Sequence, residues 1–181
     1  MGEGSLLLAF VTAQRFAELA WARYNTRRLR AAGAVEHGRA HYAAIVALHA
    51  AWLAGLWGLG YDRPVDRAFL VGFAALQAAR IWVLASLANR WTTRIMVLPG
   101  AAPVRRGPYR FLRHPNYLIV ALEIAVVPLA LGLPLYAAAF SVLNALVLRV
   151  RIRAENAALA WAASATPAIP SHSLAKAQES L

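Results

Sequence analysis

The chain has 181 residues, 60% of them hydrophobic and only 15% charged, with mean hydropathy +0.49 and a net charge of +11. Soluble domains are roughly 45–50% apolar and about 25% charged, so this is the composition of a membrane protein. Cysteine is absent, which excludes disulfides, thiolate metal sites and cysteine nucleophiles; the arginines lie between apolar stretches, a pattern of membrane topology and anionic headgroups rather than of nucleic-acid binding.

The opening Met1-Gly-Glu-Gly-Ser has no basic cluster and does not read as a cleaved signal peptide. A hydrocarbon core of about 30 Å takes about 20 mostly apolar residues per helix. The first such run extends from Ser5 to Trp21 and holds Arg15 and Glu18, three apart on one helical face and able to pair. The second extends from His41 to Leu59. The third, from Phe69 to Leu87, holds Gln77 and Arg80 on one face. The fourth, from Tyr117 to Val150, is too long for one ordinary span. Pro128, Gly132 and Pro134 interrupt it, which predicts a hairpin of two short helices with its tip at Gly132-Leu133-Pro134. A single kinked helix is the competing reading. Only the hairpin returns Arg113 and Arg151 to one membrane face.

Basic residues cluster after the first run (Arg23 to Arg39), after the third (Arg90 to Arg113) and after the hairpin (Arg149, Arg151, Arg153, Lys176). Between the second and third runs, Arg63 and Arg67 are countered by Asp62 and Asp66. The positive-inside rule then sets the N-terminus outside and the three basic segments in the cytoplasm. The expected architecture is an all-α integral membrane protein of five transmembrane helices, the last two a short hairpin, in a bacterial-type inner membrane. Residues 1–165 form one domain and 166–181 a loosely ordered tail.

Polar groups gather at two places. GPYRFLRHPNYL, residues 107–118, packs arginines, a histidine, prolines and tyrosines beside an apolar run; RVRIRAEN, residues 149–156, closes that run with Arg151 and Glu155 on one face. Taken singly, each reads as well as a basic membrane boundary that snorkels to headgroups. A hairpin sets them side by side, so that Glu155 and Arg151 face His114, Asn116 and Tyr117 across one pocket. Glu123, two turns into the fourth run, needs a partner or a role at that depth, with Gln77 and Arg80 as candidates. His41 and His49 share a face of the second run without further ligands nearby, and no metal site is expected.

GPYRFLRHPNYL followed by an apolar hairpin and R-x-x-x-E resembles the isoprenylcysteine carboxyl methyltransferase family, integral membrane enzymes that use S-adenosylmethionine. Gln77-x-x-Arg80 and NRWTTRIMVLPGA, 89–101, resemble that family's lead-in, and the likeness covers residues 12 to 160. GAVEHGRAHY, 33–42, resembles a bacterial branch associated with O-methylation of alkylresorcinols and alkylpyrones. The resemblance implies that Val104, Tyr109, His114, Pro115, Asn116, Tyr117 and Glu155 line a cytoplasmic-side S-adenosylmethionine pocket. It also implies a catalytic set of Arg151, Glu155 and His114, with Arg151 toward the substrate and His114 the nearest candidate base. The acceptor would be a phenolic or pyrone lipid entering from the bilayer, with membrane lipids around it and no nucleic acid or metal. Isoprenylcysteine carboxyl or phospholipid methylation, an NADPH-dependent membrane reductase, and a non-enzymatic scaffold are the alternatives.

Overall fold

The computed structural model describes residues 2–165; the tail expected from 166 onward lies outside the described residues. Five helices follow one another: α1 (Glu3–Ala31), α2 (Arg39–Gly60), α3 (Arg67–Leu87), α4 (Pro115–Ala130) and α5 (Pro134–Ser164). Three are long and apolar enough to cross a membrane: α2, α3 with the turn to Arg90, and α5. The fourth, α4, has 16 residues, about 24 Å at 1.5 Å per residue.

Backbone hydrogen bonds gather the helix ends into two groups. At one end Gly4 N–H donates to Arg63 O (3.1 Å) and Asp66 N–H to Ala130 O (2.8 Å), while Arg63 Nη1 donates to Gly132 O (3.3 Å). The starts of α1, α3 and α5 therefore lie with the ends of α2 and α4, and the helices alternate in direction. Asp66 caps α3 with its carboxylate, accepting from Ala68 and Phe69 N–H. Gly132, at φ +66°, turns the chain between α4 and α5, and Pro134 opens α5 where its missing N–H costs nothing. The interrupted run is thus a hairpin and not a kinked helix.

At the opposite end two short strands, β1 (Val35–His37) and β2 (Ile95–Val97), pair antiparallel with Glu36 opposite Met96. This ribbon joins the α1–α2 connection to the long stretch between α3 and α4. Its apolar face packs on α5 through Ile95, Val97, Ala158 and Ala162. Three arginines, Arg30, Arg94 and Arg39, converge on the Glu36 carboxylate. Burial raises that carboxyl's pKa, but the hydrogen bonds from Arg94 and Arg30 outweigh it and hold the group below its ordinary range.

Two boundaries differ from the expected ones. The arginines from Arg23 to Arg30 are on α1 itself, not on a loop, because Asn25, Thr26 and Leu29 continue its buried face to the ribbon. The hairpin is also unequal rather than short on both sides: α5 continues past Arg153 to Ser164, since Ala158 and Ala162 still have the ribbon to pack on.

The apolar core lies toward the end away from the ribbon, where Leu8, Val11, Trp52, Leu56, Ile124 and Val127 are buried together. Midway along the bundle sits a charged knot. Glu123, fully buried, accepts from Gln77 Nε2 (2.8 Å) and Arg80 Nε (2.9 Å) and pairs with Arg15. Glu18 closes the circuit with Arg15 (2.9 Å) and Arg80 (3.3 Å). Two arginines against two glutamates leave no net charge, the condition under which ionised groups persist inside a membrane bundle.

Candidate active site

The start of α4 and the second half of α5 meet beneath the ribbon. Pro115 occupies the first position of α4, so the chain before it is free to stay irregular and His114 stands at the helix boundary. One turn later Tyr117 points at α5. Its hydroxyl donates to Glu155 Oε2 and accepts from Arg151 Nε at 2.9 Å. Arg151 in turn donates through Nη2 to Thr93 O, 2.8 Å away on the segment before β2. Arg151 and Glu155, one turn apart, are therefore not a direct ion pair. A phenol hydroxyl joins them.

His114 stacks on Tyr117, ring centroids 5.4 Å apart and planes at 19°. Its Nε2 lies 3.2 Å from Asn156 Oδ1; an amide oxygen only accepts, so this nitrogen carries a proton. Its Nδ1 faces Glu155 Oε1 at 3.8 Å, an ion pair whenever the imidazole is cationic. Arg113 also donates to Asn156 Oδ1, at 3.1 Å. Tyr109, half-buried in the 3-10 turn Gly107–Arg110, has its pKa raised by burial and then by the negative charge of Glu155, so it stays a neutral phenol. Asn116 Oδ1 is buried with no hydrogen-bond partner, an acceptor that a bound molecule would satisfy.

Of the residues singled out in the sequence, the fold brings His114, Tyr117, Arg151 and Glu155 into one contiguous set, with Tyr109 in electrostatic reach. Val104 is half-buried in the stretch ahead of Gly107 and Pro115 is buried at the helix start; among the described residues neither takes part in the hydrogen bonds of the set. Thr93 and Asn156 were not anticipated. Neither has a motif of its own: Thr93 acts through its carbonyl, which any residue would supply, and Asn156 is polar in a polar run. No group of three or more metal-ligating side chains occurs among the described residues.

A cavity of about 290 Å³ opens on the other side of Tyr117 and Arg151. Asn116, Tyr117, Arg151, Tyr42 and Thr93 form its polar end, Phe16, Leu19, Ile45, Val46, Leu53 and Val120 its apolar walls, and Arg15, Glu18, Arg80 and His49 its deep end. Neither His114 nor Glu155 lines it. Tyr117 and Arg151 thus line a mostly apolar chamber, while Glu155, His114 and Asn156, which bond to one another and to Tyr117, lie outside its lining.

The uncharacterized protein YpbQ of Bacillus subtilis (strain 168) is 40% identical over 161 residues, covering 85% of this chain and 95% of its own. An uncharacterized protein of Haemophilus influenzae is 25% identical over 167 residues, 86% of this chain and 94% of its own. No solved structure matches. The model of the isoprenylcysteine carboxyl methyltransferase (ICMT) family matches residues 68–161, from the start of α3 through the Tyr117, Arg151 and Glu155 set. With that match over more than half its length, the chain belongs to the isoprenylcysteine carboxyl methyltransferase family.

Proposed function

We propose that this protein is an integral membrane methyltransferase that uses S-adenosylmethionine to methylate an oxygen of a lipophilic acceptor, a phenolic or pyrone lipid such as an alkylresorcinol. The observation that carries the reading is the single Tyr117 hydroxyl that joins Glu155 on one side to Arg151 on the other. In this reading the cofactor occupies a polar recess at Glu155 and His114 and the acceptor the apolar chamber that Tyr117 and Arg151 line, so that the hydroxyl stands between a soluble donor and a lipid acceptor.

The recess fits the proposed cofactor by the chemistry of its groups. Glu155 offers a carboxylate to a cationic centre, and the stacked His114 and Tyr117 rings and Tyr109 offer flat faces to an aromatic base; the buried Asn116 Oδ1, on the chamber side, is left to accept from the lipid acceptor. S-adenosylmethionine bound there would supply an electrophilic methyl group. The protein's own contribution is alignment and exclusion of water. Trp91 and Thr92 line the chamber beside Thr93, and its apolar walls, Phe16 and Leu19 on α1 with Ile45 and Val46 on α2, would hold a lipid tail.

A phenol with a pKa of about 10 is almost wholly neutral at pH 7. Arg151 has one N–H on Tyr117 and one on Thr93 O; its remaining donors can stabilise charge developing on the acceptor oxygen. His114 is on the recess side with Nε2 protonated, which favours a part in holding the cofactor over a part as base for the acceptor.

His114 and Glu155 lie at the arginine-rich end, beside Arg113 and Arg153, so the reading sets that end and the C-terminus in the cytoplasm, where the cofactor is made, and the N-terminus across a bacterial inner membrane. All five helices would then span, the short α4 within locally thinned or tilted surroundings. Purified full-length protein should bind S-adenosylhomocysteine and not NADPH, and membranes given labelled S-adenosylmethionine and an alkylresorcinol should yield a labelled methyl ether. Binding of NADPH instead, or label that appears only on phospholipid or protein, would replace this reading.

A further inference from the structure

A second polar site lies outside the recess, on the lipid-facing side of the end of α3. The chain leaves α3 at Leu87 through Ala88, whose φ of +47° makes it the one non-glycine residue with positive φ among those described. Arg90 follows. Its Nη1 donates to Ala102 O at 3.1 Å. In the reverse direction, Arg106 Nε donates to Ser86 O at 2.7 Å. These reciprocal bonds clamp segment 86–90 to segment 102–106 and hold two guanidinium groups near enough for the charge of Arg106 to act on Arg90.

Like charges held together in this way need a counter-ion. Arg15, Arg30, Arg39, Arg67, Arg80 and Arg94 each have a carboxylate partner. Among the described residues Arg90 and Arg106 have none, and each of the two has only one of its five N–H donors engaged, on a backbone carbonyl. Beside them Gly107 leaves no room for a side chain, since an added Cβ would lie 2.0 Å from Ser86 Oγ and 3.2 Å from the indole Nε1 of Trp82, and Trp82 is 53% exposed. Ile81, next to Trp82 on α3, is exposed, as are Phe111 and Leu112, which follow the 3-10 turn that packs on α3. Tryptophan flanked by apolar side chains and arginine is the composition of a headgroup-level membrane belt.

We propose that Arg90 and Arg106, with the Trp82 indole N–H, form a binding site for the phosphate of an anionic phospholipid, whose acyl chains lie on Ile81, Phe111 and Leu112. Two guanidinium groups suit a phosphodiester, which can accept paired N–H donors from each. The site needs nothing from the proposed methyl transfer. It has a consequence for it, however: the lipid would pin the two segments that carry the chain into Gly107 and Tyr109, so headgroup charge would tune the order of the recess.

The test is made on the full-length protein in nanodiscs of phosphatidylcholine alone or with added phosphatidylglycerol. Native mass spectrometry should show wild-type protein retaining phosphatidylglycerol over phosphatidylcholine, and the Arg90→Gln/Arg106→Gln variant losing that preference by roughly tenfold or more. The Arg23→Gln/Arg27→Gln variant, with the same loss of charge elsewhere at that end, should keep it. Hydrogen exchange on wild-type protein localises the effect without mutation: phosphatidylglycerol should protect 86–90 and 102–107. Equal retention of the two lipids by wild type overturns the proposal, as does an equal loss in both double variants or protection elsewhere. Protection by millimolar inorganic phosphate equal to that by the lipid would mean a free-anion site and would also overturn it. So would a double variant whose affinity for S-adenosylhomocysteine in phosphatidylcholine falls as far as its lipid preference, since the arginines would then belong to the recess.

Discussion

Tyr117 and Glu155, 38 residues apart in sequence, share a hydrogen bond in which the phenol donates to the carboxylate while its oxygen accepts from Arg151. The hydroxyl holds two oppositely charged side chains of α5 apart and fixes the rotamer of each. Tyr117→Phe keeps the ring stacked on His114 but leaves Arg151 and Glu155 free to close on one another. Methyl transfer should fall about 10²-fold or more through lost alignment, and affinity for S-adenosylhomocysteine by about tenfold or less, as the loss of one charge-assisted hydrogen bond implies. Steady-state rates and isothermal titration on the same preparation separate the two effects. A larger loss in affinity than in rate would place the hydroxyl in binding alone.

The knot around Glu123 should be the most sensitive point of the fold. Glu123→Ala leaves Arg15 and Arg80 with only Glu18 between them, and removal of one partner from a buried charge network costs about 3–5 kcal/mol. The thermal midpoint in detergent should drop sharply, and yield with it. Glu18→Gln, at the partly exposed edge of the knot, should cost less. If both variants melt with wild type, the four charges are not coupled as the geometry requires.

Acid should loosen the ribbon before it loosens the helices. The Glu36 carboxyl is held below its ordinary value of 4.5 by Arg94 and Arg30 against the opposing effect of burial. Its stabilising contribution is complete above the unfolded-state pKa and is lost as pH falls through the lower folded-state value. Exchange protection of 35–37 and 95–97 should therefore decline below about pH 4.5. In Glu36→Gln it should be weaker throughout and flat across that range. A pH dependence unchanged in the variant would assign the effect to another group.

Two glycines with positive φ should respond differently to a methyl group. At Gly132 (φ +66°) an added Cβ meets only Arg63 Nη1 at 3.7 Å, so Gly132→Ala should cost about 1–2 kcal/mol of backbone strain. At Gly107 (φ +56°) the Cβ would lie 2.0 Å from Ser86 Oγ and 3.0 Å from its Cβ. Gly107→Ala must push the 3-10 turn off α3, and Tyr109 with it. Its mark should be weaker binding of S-adenosylhomocysteine, whereas Gly132→Ala changes melting and leaves binding alone. Equal effects of the two on binding would argue against the turn's role in the recess.

The sequence by itself determined where the apolar runs and the two polar clusters lie, because these follow from the chain's own composition and periodicity: about 20 apolar residues make a span, and Gly132 with Pro134 favours a turn over the kinked helix that the run also allowed. It also paired Arg15 with Glu18 and offered Gln77 and Arg80 to Glu123, since residues three apart share a helical face. Only the tertiary structure decided that these two pairs are one knot, because their contact joins α1, α3 and α4. The ribbon was hidden for the same reason. Three-residue strands have too little local pattern to announce themselves, and Glu36 becomes an anchor only when Arg94 arrives from 58 residues away. Arg151 and Glu155 were legible as neighbours on α5; that a tyrosine hydroxyl stands between them, with Arg151 lining the chamber and Glu155 outside it, depends on the angle at which α4 crosses α5, and packing alone sets that angle.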